Sequence, residues 1–290
     1  MRTLAGLLSI VFLVTVAQAE PRPEPEAWLA QLTDDVIVDL AAGRPLVVRV
    51  HVPLCDNRVL RCGNRRLGDG DVPRWNLYWG TSEGFLGWFD RAGSGWTRAP
   101  EPAPAGRDPD ILDVRVWRRH VVASPAWRTR GAPARFDVEV VAHAWRGTAI
   151  DRALAAYLDE VHGGGASEAR IVAWVGHNRL MDVEQPDWAA LAASASARRR
   201  GVIAIACHTG AYLADVMPAA ARVPLLFTRD FLMASAPTLE GAVMAFARGE
   251  GYAGVRSGAA RGYATGQGKP VNRVTHAFTN PADPRWTRSR

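Results

Sequence analysis

GVIAIACHTG, residues 201–210, runs six apolar or small residues straight into Cys207 and His208. Thirty positions before that thiol, RIVAWVGHN (170–178) closes in the same way on His177. Short continuous runs rich in Val, Ile and Ala are the pattern of strands buried on both faces. The segments between them are amphipathic. GTAIDRALAAYLDEVHGGG (147–165) sets Ile150, Leu154, Tyr157, Leu158 and Val161 at three- and four-residue intervals and then stops at Gly163 to Gly165, which predicts a helix with a glycine end. DWAALAASASARRR (187–200) and AYLADVMPAAAR (211–222) predict two more helices, VPLLFTRDF (223–231) a third apolar run, and TLEGAVMAFARGE (238–250) the helix after it. Strands alternating with helices predict an α/β chain, an α/β/α sandwich around a mostly parallel central sheet. Ligands of such sheets bind beyond the carboxyl ends of the strands, where His177 and Cys207 both stand.

Upstream, DDVIVDLAAGRPLVVRVHVPLCDN (34–57) first alternates and then becomes continuously apolar, predicting a strand that enters the sheet at Leu46 to Val52. ILDVRVWRRHVVAS (111–124) predicts an antiparallel or edge strand, and ARFDVEVVAHAW (134–145) a strand ending near His143. Residues 55–110 differ in kind. They are dense in Gly, Asp, Asn and aromatics without helical or strand period, and form a long irregular insertion of the sort that compact domains keep for function.

The N-terminus addresses the compartment. Arg2, the apolar run Leu4 to Val16 and the small-residue site Ala17-Gln18-Ala19 predict a signal peptide over residues 1–19, cleaved near Ala19, and hence a secreted or periplasmic protein. No later run of about 18 apolar residues follows, so no transmembrane segment is expected after cleavage. Residues 20–290, roughly 270 in all, fit a single α/β domain with its core over about 136–250. The formal charge of +6 comes from 35 basic residues, all Arg except Lys269, scattered without a stripe or aromatic interleaving, so no nucleic-acid partner is expected.

Three cysteines in an oxidising compartment leave one over. Cys55 and Cys62 lie seven apart in CDNRVLRCG, a spacing that permits a local disulfide if the chain doubles back. Cys207 is then the unpaired thiol. A thiol acts as a nucleophile in its thiolate form, and an imidazole on the neighbouring strand can take its proton. The helix expected after Cys207 would aim amides and a positive dipole at the same place.

At these residues the chain resembles the caspase-like cysteine peptidases, the group of caspases, legumain, clostripain, gingipains and separase. The likeness lies in WVGHN for the histidine block and IAIACHTG for the cysteine block, and covers roughly residues 136–250. It implies an α/β/α sandwich, His177 as general acid/base and Cys207 as nucleophile on neighbouring strands, a peptide or protein substrate, and no cofactor. Two positions depart from the pattern. The family commonly carries Gly after the histidine, whereas here Gly176 precedes it and Asn178 follows. His208 follows the cysteine and is open to three readings: a second base, a substrate contact or an inert surface group. Asp182 either orients His177 as a third member or caps a turn.

The insertion leaves the first strand at the same edge of the sheet, so Asp56, Asn57, Asn76, Tyr78 and Trp79 are candidate pocket residues. Asp69 and Asp71 lack the downstream Glu of a calcium loop, His120 and His143 lack ligand partners at zinc spacing, and no metal is expected. Neither a G-x-S-x-G elbow nor a phosphate-binding loop occurs. The resulting expectation is a cysteine hydrolase acting on peptide or other amide bonds, cell-wall amides included. The competing one is a non-catalytic binding or surface-interaction protein on the same fold, with the aromatic insertion as its contact face.

Overall fold

The computed structural model describes residues 25–101, 107–164 and 167–286. The signal-peptide reading of residues 1–19, with its cleavage site near Ala19, lies outside them. In chain order the elements are α1 (Pro25–Ala41), β1 (Leu46–Pro53), α2 (Phe85–Phe89), β2 (Thr97–Ala99), β3 (Ile111–Val122), α3 (Pro125–Thr129), β4 (Arg135–Trp145), α4 (Ile150–Val161), β5 (Ile171–Val175), α5 (Trp188–Ala193), β6 (Arg200–Ile205), α6 (Thr209–Leu213), β7 (Arg222–Thr228), α7 (Ala236–Ala247), α8 (Tyr252–Gln267) and β8 (Phe278–Thr279).

The strands form one sheet in the order β2-β3-β4-β1-β5-β6-β7-β8. The central run β4-β1-β5-β6-β7 is parallel, and antiparallel pairings close both flanks. Helices cover both faces of the parallel strands: every residue of β5, β6 and β7 is buried, so a side chain on either face meets an apolar layer rather than water. On one face Val48, Val50, Ile171, Ile203 and Leu225 pack against α1, α7 and α8. On the other Val141, Val172, Val202 and Ala204 pack against α4 and α6.

Helix α1 was not foreseen. The alternation of Val36, Val38 and Leu40 belongs to a helix whose buried side chains Leu29, Leu32, Val36, Ile37 and Leu40 recur every three or four residues, while Val38 faces out. Helix α8 was missed because its Gly-rich composition has low helical propensity. The glycines serve contact instead. A Cβ at Gly258 would lie 2.3 Å from the carbonyl oxygen of Gly241, and one at Gly262 would lie 1.9 Å from that of Pro237, so the backbones of α7 and α8 touch where any side chain would wedge them apart. The segment expected as a helix over 187–200 is helical only from Trp188 to Ala193.

The insertion is ordered by its aromatics. Trp79, Phe85, Phe89, Trp96 and Trp117 form a packed ladder with ring centroids 4.9 to 6.4 Å apart. Their indole N–H groups donate to carboxylates: Trp79 to Asp113 at 3.0 Å, Trp96 to Glu240 at 2.8 Å and Trp117 to Asp90 at 2.8 Å. That arrangement lets large rings be buried without losing their polar end. Cys55 and Cys62 are joined in a disulfide with 6.0 Å between their Cα atoms. Among the described residues no helix is long and apolar enough to cross a membrane.

Candidate active site

β5 and β6 pair in parallel and in register, Val175 opposite Ile205. His177 and Cys207 therefore stand at equal distance, two residues past the ladder, on strands separated by about 4.8 Å. The loops that carry them are tied together. Trp174 donates its indole N–H to the carbonyl of His177 at 3.0 Å, and the Asn178 side chain donates to the carbonyl of Cys207 at 2.7 Å. Asn178 is buried and its other amide atom accepts from the Leu180 N–H at 3.2 Å, capping the 3-10 turn Arg179–Met181. The residue that departs from the expected glycine is thus a strut between the two halves of the site. Gly176, just before the histidine, has no room for a side chain, since a Cβ there would lie 2.9 Å from the ring of Pro53 at the end of β1.

The two candidate side chains each have another partner. His177 Nε2 meets Asp182 Oδ2 at 2.5 Å, which leaves Nδ1 as the nitrogen for a reacting proton. Asp182 also lies 3.6 Å from Arg179. Cys207, half-buried and the free cysteine, donates its thiol to the carbonyl of Leu232 at 3.6 Å, in the segment between β7 and α7.

The turn after Cys207 is rigid. Thr209 Oγ1 donates to the carbonyl of Ala204 at 2.8 Å and contacts Thr228 Oγ1 at 2.9 Å, while Thr228 Oγ1 donates to the carbonyl of Ala206. His208 has φ 51° and ψ 30°, the sole non-glycine residue with positive φ among the described residues. An L-residue held there costs roughly 1–2 kcal/mol, which the threonine clamp must offset. Its ring stands edge-on to Phe231, a mostly exposed side chain, with centroids 4.4 Å apart. The helix that follows is five residues long, and two of the amides at its entry are occupied: His208 N–H donates to the Asp230 carbonyl at 3.2 Å and Thr209 N–H to Thr228 Oγ1 at 3.1 Å.

The candidate pocket residues separate. Tyr78 is buried, and burial first, then the charge of Cys207, raises its pKa. Trp79 belongs to the aromatic ladder. Asn76 is buried and holds the insertion to the end of β1, donating to the carbonyl of Cys55 at 2.7 Å and accepting from its N–H at 3.0 Å. The Asp56 carboxylate is gripped by the Arg58 guanidinium at 2.8 and 2.6 Å, bonds that outweigh burial and hold its pKa low. Glycines 70 and 147 leave the space that this carboxylate fills. Asn57 accepts from the Cys62 N–H at 2.8 Å. Asp56 and Asn57 line a separate cleft of about 360 Å³ together with Arg65, Asp69 and Asp71. No group of three metal-ligating side chains occurs among the described residues.

Two parts of the site escaped sequence reading. The segment Arg229–Ser235 roofs the thiol through Leu232 and brings Asp230 and Phe231 beside His208. It follows an apolar strand as His177 and Cys207 do, and the same rule would have found it. Tyr263 of α8, hidden with its helix, has its pKa raised by burial first and then by the charges of Glu83, Cys207 and Asp230. Comparisons of the chain with protein-family models, with characterised proteins and with solved structures give no match.

Proposed function

We propose that this chain is an exported cysteine hydrolase of caspase-like architecture, cleaving a peptide or other amide bond through a thioester on Cys207. The observation that supports the reading is the register of β5 and β6, which brings the backbone of His177 and of the free Cys207 to the same level at the carboxyl edge of a parallel sheet, where ligands bind. His177 takes the thiol proton through Nδ1 while Asp182 holds the opposite nitrogen. The thiolate adds to the carbonyl carbon, the C–N bond breaks, and the amine leaves with the proton from His177. Water, deprotonated by the same imidazole, then attacks the thioester, releasing the carboxylic acid and restoring the thiol. Attack requires the Cys207 side chain to leave the Leu232 carbonyl, a rotation about one bond.

A non-catalytic binding protein is the second reading, favoured by the partners the two side chains hold at rest, Leu232 for the thiol and Asp182 for the imidazole. An acyloxymethyl ketone probe separates the two. As a hydrolase, the protein is labelled at Cys207, Cys207→Ala is silent, and His177→Ala slows labelling by about 100-fold or more, the usual worth of a positioned general base. Labelling no faster than that of a small free thiol, and indifferent to His177→Ala, would sink the hydrolase reading.

A further inference from the structure

Beside the histidine loop lies an open groove of about 740 Å³ between α4 and α5. This is within the roughly 300–1,000 Å³ range of ligand clefts. Its floor is apolar, formed by Leu154 and Leu158 of α4, Val183 and Pro186 of the connecting loop, and Leu191 of α5. Its rim is acidic: Asp151, Asp159 and Asp187. Asp151 is paired with Arg179 at 2.6 Å, and Asp187 accepts from the Ala190 N–H at 2.9 Å to cap α5. Neither Asp159 nor Asp187 meets a cation at ion-pair distance among the described residues, in a chain where arginine is abundant and takes up most other clustered carboxylates.

The groove and the candidate active site share a wall. Val183 follows Asp182, the partner of His177, and Asp151 is bonded to Arg179, which follows the Asn178 strut. Helix α4 starts at the carboxyl edge of the sheet and runs away from it, so Asp151 marks the near end and Asp159 lies about 12 Å further on, eight residues at about 1.5 Å each. An extended peptide covers that distance in about four residues and turns alternate side chains to the same side.

We propose that this groove holds the part of the substrate lying on the His177 side of the scissile bond, and that this part is a peptide with apolar side chains flanked by basic residues. The proposal rests on the hydrolase reading for its term substrate. The apolar floor takes the Leu- or Val-like side chains, and Asp159 and Asp187 take the Arg or Lys that would otherwise face a net basic protein.

The test uses full-length protein carrying Cys207→Ala and a fluorescein-labelled ten-residue synthetic peptide with Leu residues flanked on each side by Arg, read by anisotropy. Binding at least tenfold tighter than that of the same peptide with Glu for Arg, or Ser for Leu, is expected. Asp159→Asn and Asp187→Asn should each weaken it about threefold to tenfold, the latter keeping the helix cap because Asn caps as well as Asp. Ala190→Trp, which fills the groove from an exposed position, should abolish it. Equal binding of the Glu peptide, or affinity unmoved by Asp159→Asn and Ala190→Trp, overturns the proposal; so does concentration-dependent dimerisation that Ala190→Trp removes, which would give the groove to a second copy. Peptide binding as expected in a protein whose Cys207 fails the probe test would remove the hydrolase reading and leave the groove's specificity standing. A labelled Cys207 with no peptide binding would do the reverse.

Discussion

Two pairs of strands in this sheet carry chemistry-bearing side chains opposite one another, and they differ in where the ladder ends. In β1 and β4, His51 pairs with His143 two residues before the strands finish at Pro53 and Trp145. In β5 and β6, His177 and Cys207 stand two residues after the strands finish at Val175 and Ile205. In the first pair His51 is buried beneath α4 and His143 lies half-buried beside it. His51 Nε2 meets Glu160 Oε2 at 2.8 Å, Arg49 donates to His143 Nε2 at 2.6 Å, and the rings of Trp145 and Tyr157 close over His51 at 6.0 Å. The second pair opens on solvent, with partners supplied by loops. Beyond the last backbone pairing a side chain leaves the covered sheet while the strand still fixes its position, which is where the ligands of parallel sheets bind.

The contrast is sharpest at Glu160. Burial acts to raise its pKa, but the hydrogen bond from His51 and the charges of His51 and Arg49 prevail and hold it down to about 2. Glu160→Ala leaves two buried bases without their anion, and should destabilise the fold by about 3–5 kcal/mol in urea unfolding. Probe labelling of the fraction that remains folded should be unchanged. A loss below about 1 kcal/mol would mean that the inner pair is no more structural than the outer one.

Asn178→Ala tests the outer pair from its strut. It removes a turn cap and the bond to the Cys207 carbonyl, an expected cost of about 1–2 kcal/mol in stability. The labelling rate should fall about tenfold while its pH profile keeps its shape, because the strut positions the thiol and does not titrate. A shifted profile would instead make Asn178 part of the proton path.

The most gradual effect is the pH response of His143. Burial first, then the charges of Arg49 and His51, push its pKa down to about 2. Unfolded it titrates near 6.5, so between those values the unfolded chain binds a proton that the folded chain does not. Stability is therefore greatest above about pH 6.5 and declines as pH falls. His143→Asn should flatten the slope of stability between pH 6 and 4 by up to about 1.4 kcal/mol per pH unit. An unaltered slope would show that His143 is protonated where it lies.

The fold was legible where burial wrote itself into composition. The apolar runs ending in His177, Cys207 and Arg229–Phe231 are strand ends because a strand covered on both faces has no polar position until it leaves the sheet. Helix α1 was not legible, since Val36, Val38 and Leu40 satisfy a period of two as well as their helix does. The inner network was out of reach for another reason: His51 and Glu160 are partners across 109 positions, and no local pattern links them. Asn178 could be seen as a departure from the glycine pattern, yet its use became evident only once the Cys207 carbonyl lay 2.7 Å away.

The glycine contact between α7 and α8 sets a clearance elsewhere. Gly262 touches the carbonyl of Pro237 in the first turn of α7, and the segment leading into that turn carries Leu232, whose carbonyl holds the thiol. The depth at which Leu232 sits over Cys207 is thus set by how closely α7 and α8, which share its face of the sheet, approach each other. A methyl group added at Gly262 would lift the start of α7 and raise that ceiling with it, changing the height of the opening above Cys207 while leaving every residue around the thiol as it was.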